Sequence, residues 1–107
     1  MTFKSLGIDA DICEALDAKG ITSPFPIQQQ AIPVALAGTD IIGQAKTGTG
    51  KTLGFGLPLI QALGENPSMG VQALVVVPTR ELALQVSEDL IMATSNRPTT
   101  VVAIYGG

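Results

Sequence analysis

The residues best suited to chemistry are Ala45-Lys46-Thr47-Gly48-Thr49-Gly50-Lys51-Thr52. An apolar run, residues 40–44, precedes them, and a helical pattern opens at Gly50 and continues to Leu63. Strand, glycine-rich loop, then helix is the context in which backbone N–H groups cradle a phosphate. Gly48 and Gly50 carry no side chain to block an anion. The helix that starts there adds unpaired N–H donors and the positive end of its dipole. Lys51 supplies a mobile positive charge for terminal phosphates, and the hydroxyl of Thr52 is placed to ligate Mg²⁺. The usual pattern begins with glycine, and here that position is Ala45.

The elements that must position this loop follow from periodicity. Ile8, Ile12, Ala15 and Leu16 share one face of a helix that Asp9 starts and Gly20 ends. The carboxylates of Asp9, Asp11, Glu14 and Asp17 read as a solvated face. Pro24 and Pro26 hold the chain extended into a second helix, with Pro26 in its first turn and Pro33 expected to kink or divide it. Behind the loop, Leu53, Leu57, Ile60 and Leu63 point inward, Pro58 suggests a bend, and Gly54 and Gly56 allow close packing. Residues 73–77 form a continuous apolar, mostly β-branched run, the mark of a strand covered on both faces. Thr79 caps a further helix whose Leu82, Val86, Leu90 and Ala93 form a stripe, and residues 100–105 read as another strand.

The expected order is helices followed by β–α–β–α–β, an α/β fold with a parallel sheet and right-handed crossovers. Ligands of such folds gather at the carboxyl ends of the strands. The phosphate loop, Pro78-Thr79-Arg80 and Gly106-Gly107 all fall there.

The 107 residues suffice for one small domain. Cys13 is the only cysteine and there is no histidine, which excludes an internal disulfide and a Cys–His pair. With no secretory signal and no membrane-length apolar run, the expected compartment is the cytoplasm. The formal charge of −3 argues against a broad nucleic-acid footprint, while a few cations along one edge still suffice for a local one.

Three stretches together resemble the amino-terminal part of a DEAD-box RNA helicase. Phe3 followed by Gly20-Ile21-Thr22-Ser23-Pro24-Phe25-Pro26-Ile27-Gln28 is similar to the family's isolated aromatic and Q motif. Residues 45–52 resemble motif I, where the family itself commonly has alanine first. Residues 78–85 resemble motif Ia, and Gly106-Gly107 the family's GG element. The resemblance covers essentially the whole chain. It implies a P-loop (RecA-like) three-layer α/β/α domain, incomplete here, with residues 1–38 as a Q-motif helical region and 39–107 as the first half of the ATP-binding domain.

It also implies roles. ATP and Mg²⁺ would be held by Phe3, Gln28, Thr47, Gly48, Thr49, Gly50, Lys51 and Thr52, with Lys51 and Thr52 serving catalysis and Thr52 the metal. Gln28 has an amide that both donates and accepts, matching the N6 and N7 of adenine, and Phe3 would stack on the ring. Pro78, Thr79, Arg80, Gly106 and Gly107 would touch RNA through its backbone, without reading its sequence. The family's acidic segment and second RecA-like domain are not among these residues, so the chain by itself is expected to turn over little ATP and to self-associate. Alternative readings are part of another P-loop ATPase, such as a DNA helicase, and a regulatory module that binds adenine nucleotide without hydrolysing it.

Overall fold

The computed structural model describes residues 1–38, 50–63 and 70–106. A 3-10 turn at Lys4–Leu6 leads into four helices: α1 (Ala10–Ala18), α2 (Pro26–Leu36), α3 (Lys51–Ala62) and α4 (Arg80–Ala93). No helix of the described residues is long and apolar enough to cross a membrane.

Each helix starts and stops for a local reason. Asp9 holds the extended backbone of an N-cap. At the other end of α1, Gly20 adopts φ 77°, and the N–H groups of Gly20 and Ile21 donate to the carbonyls of Asp17 and Leu16, both at 2.9 Å. That double closure satisfies carbonyls the helix would otherwise strand. Pro26 is the first residue of α2. The hydroxyl of Thr79 accepts from the N–H of Leu82 at 3.2 Å and so caps α4. Neither internal proline divides its helix. α2 runs through Pro33 and α3 through Pro58. Pro33 lies on the exposed face of α2, where water can serve the carbonyl its missing N–H leaves.

In α1, and in α3 apart from half-buried Leu63, the core is where the periodicity placed it, whereas Ile32 of α2 was not among the expected residues. Ile8, Ile12, Ala15 and Leu16 are buried, and Ile32, Leu53, Leu57, Ile60, Leu90 and Ala93 close on them from α2, α3 and α4. Leu82 departs from the expected stripe at 40% exposure, so α4 packs along its second half only. The glycines of α3 set its distance from its neighbours. A Cβ built on Gly54 would lie 3.9 Å from the Gln28 side chain, ordinary contact, whereas one built on Gly56 would lie 2.6 Å from a Leu90 methyl.

Two polar fixtures tie distant stretches. Gln61 accepts from the N–H of Asp9 and donates to the carbonyl of Gly7, both at 2.8 Å, anchoring the turn before α1 to α3. Arg97 donates to Asp11 through Nε at 2.6 Å and to Asp9 through an NH2 group at 2.6 Å, while Asn96 donates to the Asp11 carbonyl at 3.0 Å. Two members of the expected solvated acidic face are therefore engaged. The charge of the first turn of α1 found its partner 86 residues away.

The expected sheet is not formed among the described residues. The first predicted strand, 40–44, and most of the phosphate loop lie outside them. Residues 73–77 and 100–105 carry no ladder. Their burial nonetheless alternates with a period of two. Ala73, Val75, Val77, Val101 and Ala103 are half-buried, and Leu74, Val76, Val102 and Ile104 are 83%, 83%, 73% and 89% exposed. One side of each segment packs and the other presents bare hydrocarbon, as in a strand that is built to be covered on both faces.

Three outcomes follow from this packing. Arg97→Ala should lower the free energy of urea unfolding by on the order of 1 kcal/mol, mostly through Asp11, since Asp9 is 52% exposed and screened. The hydrogen bond from Arg97 holds the Asp11 carboxyl below its ordinary value of 3.8. The native state then binds its proton less readily than the unfolded chain. The contact's contribution is complete above 3.8 and lost as pH falls through the lowered native value. The gap between Arg97→Ala and the parent chain should close on acidification. Gly56→Ala should cost about 1–3 kcal/mol by forcing α3 and α4 apart, while Gly54→Ala should be near neutral; equal effects in the same unfolding experiment would contradict the spacing. Finally, the exposed leucine, valines and isoleucine should drive the 107-residue chain to self-associate, and a monodisperse monomer in light scattering would count against that.

Candidate nucleotide and nucleic-acid site

The start of α2 is built around one side chain. Phe25, between two prolines, is extended with φ −75° and ψ 162°. Gln28, in the third position of the helix, turns back, and its Oε1 accepts from the N–H of Phe25 at 2.8 Å. This is the reciprocal half of a capping box, since phenylalanine has no side-chain oxygen to complete it. The Nε2 of Gln28 donates at 3.0 Å to the carbonyl of Gly50, the residue before α3. Gln28 is only 2% exposed. Its carboxamide thus joins the helix starts of α2 and α3.

Gly50 is held to glycine twice over. Its φ is 81°, in the left-handed region, and an added Cβ would lie 2.2 Å from Nε2 of Gln28 and 2.8 Å from the Phe25 ring. Its carbonyl accepts from both Gln28 and the N–H of Gly54, the latter at 3.2 Å. That bond is the first of α3, and no side chain caps the helix. The N–H groups of Lys51, Thr52 and Leu53 therefore begin the helix without intrahelical partners. An uncapped helix start fits the phosphates of a nucleotide. Lys51 is exposed on the first residue and Thr52 is half-buried on the second.

An acid stands near Thr52. Burial, and then the charge of Glu88, pushes the Asp89 carboxyl above the usual carboxylate range, with the Thr52 hydroxyl acting in the opposite direction. Sequence periodicity gave no warning of this, because Asp89 sits beside the apolar stripe of α4 and reads as surface.

The second cluster forms at the start of the same helix. Pro78, Thr79 and Arg80 are exposed, as is Gly106. The Arg80 guanidinium lies over the ring of Tyr105, 5.7 Å from its centre. The structure thereby brings the 78–80 stretch to the end of the 100–105 segment, as expected. Tyr105 was not among the expected site residues; its place directly before the two glycines was the available signal. Thr47, Gly48, Thr49 and Gly107 lie outside the described residues. Phe3 stands apart from both clusters. It is 3% exposed in the core, beside a depression lined by Thr2, Lys4, Cys13, Asp17, Ile21 and Thr22.

Comparison with known proteins places the chain in a family. The ATP-dependent RNA helicase CshA of Listeria monocytogenes is 47% identical over 105 residues, 98% of this chain and 20% of its own length. The Prp28 RNA helicase of Chaetomium thermophilum, solved bound to ADP, superposes with a TM-score of 0.91 at 37% identity, covering 99% of this chain and 27% of that one. Dbp5 of S. cerevisiae, solved with RNA and ADP BeF3, gives 0.80 at 31% identity over 89% of this chain and 25% of its own. The chain spans about a fifth of the length of the curated relative it matches. The family model for DEAD/DEAH box helicases matches residues 25–107. By that match and by its fold, the chain belongs to the DEAD/DEAH box helicase family.

Proposed function

We propose that this chain forms the ATP-binding part of an ATP-dependent RNA helicase, in which nucleotide and RNA are bound side by side along one edge of a layered α/β domain. The observation that carries the reading is the Gln28 carboxamide bridging Phe25 and Gly50, immediately before Lys51 and Thr52. It puts a group able to recognise a base edge next to a helix start able to bind phosphate.

Residues 1–38 then act as the adenine-recognising region and 39–107 as the first half of a RecA-like domain with a parallel sheet. Among the described residues, Gln28 has used one N–H and one lone pair of its carboxamide. The second N–H and second lone pair make the donor–acceptor pair that adenine's N7 and N6 require. The backbone N–H groups of Lys51 and Thr52 donate to phosphate oxygens, and the Lys51 ammonium offsets charge on the outermost phosphate. The hydroxyl of Thr52 would help hold Mg²⁺, which would supply positive charge to offset that of the phosphates. Thr47, Gly48 and Thr49 complete the cradle in this reading. Thr79, Arg80 and Gly106, with Pro78 and Gly107, hold an RNA strand by its phosphates and sugars. That mode serves an enzyme working on many sequences; Dbp5 of S. cerevisiae, a structural relative, is solved bound to RNA. A cytoplasmic location accords with this role.

Adenine-nucleotide binding should depend on Lys51. In the full-length protein, Lys51→Ala should lower RNA-stimulated phosphate release by on the order of a hundredfold or more. DNA should stimulate less than RNA. Undiminished turnover in the variant, or equal stimulation by both nucleic acids, would contradict the assignment.

A further inference from the structure

A cation grips a phosphate best when it is already held in place, because ordering a long side chain on binding costs affinity. Arg80 is exposed on the first residue of α4. A ring holds it there. The guanidinium lies over the ring of Tyr105, 5.7 Å from its centre and within cation–π range. That ring is placed by its own segment. Val101 and Ala103 are half-buried, and Val101 packs against the core. Tyr105 shares their face by the period of two. It lies one step past the end of that packing and is 48% exposed. The face that anchors the segment therefore also carries the ring to the start of α4, and the backbone runs on directly into exposed Gly106.

We infer that Tyr105 is a positioning residue for the RNA contact: it acts through Arg80, keeping the guanidinium beside the Gly106 backbone so that both meet one phosphodiester strand. A guanidinium lying over a ring presents its N–H donors at its rim, where a phosphate can take two of them at once. The ring supplies the support and Arg80 the contact. This inference rests on the RNA reading of residues 78–80 and Gly106.

The test is equilibrium binding of a fluorescent single-stranded oligouridylate to the full-length protein, with a non-hydrolysable ATP analogue present. Arg80→Ala should weaken RNA about tenfold, the size of one charge-assisted contact. Tyr105→Leu keeps apolar bulk and removes the ring; it should weaken RNA about two- to fivefold, and Tyr105→Phe should keep parental affinity. The double variant separates positioning from simple packing: with Arg80→Ala already present, Tyr105→Leu should cost nothing further. Additive losses would overturn the role of Tyr105 alone, as would parental affinity in Tyr105→Leu alongside lost affinity in Arg80→Ala. Parental affinity in Arg80→Ala would overturn the RNA contact itself, and the inference with it. Should Tyr105→Leu fail to fold, Tyr105→Trp decides. Its stronger cation–π ring should hold RNA at least as tightly as the parent does, and weakened binding would be the overturning result.

Discussion

One carboxamide organises the functional end of this molecule. A buried glutamine amide must find partners for both its oxygen and its nitrogen, since an unpaired polar group away from water is costly. Gln28 resolves that demand by reaching backward to Phe25 and across to Gly50. Both contacts are to main chain, so they fix backbone positions and depend little on neighbouring rotamers. The left-handed turn at Gly50, the direction of α3 and the exposed ring of Phe25 all follow from where that amide sits.

From there, α4 carries the arrangement outward. Gly56 lets α3 approach Leu90 closely, and this contact places Asp89 near Thr52 on one side of the crossing. Nine residues earlier the same helix begins at Arg80, whose guanidinium covers Tyr105. One rigid rod therefore has its first turn at the proposed RNA contact and its third beside the proposed metal ligand.

Much of this was legible in the residue order. The buried faces of α1 and α3 followed from spacing alone, as did the capping roles of Thr79 and Gly20, because these depend on neighbours three to five residues away. The adjacency of Gln28 and Gly50 could be anticipated only through the family resemblance, since nothing local requires it. Asp9 and Asp11 do keep contact with solvent, but their ion pairs with Arg97 could not be anticipated because that partner is remote in sequence. The strands remain legible as alternation in burial without a ladder. Side-chain pattern is encoded within a segment, whereas pairing needs a neighbouring segment.

The tie between Arg97 and α1 has a bearing on synthesis. The guanidinium that neutralises the first turn of α1 lies 86 residues downstream of Asp11. A nascent chain must therefore carry its opening helix with two uncompensated carboxylates until the turn that follows α4 has emerged. Contacts between residues far apart in sequence lengthen the search for the native state, and this one joins partners 86 residues apart.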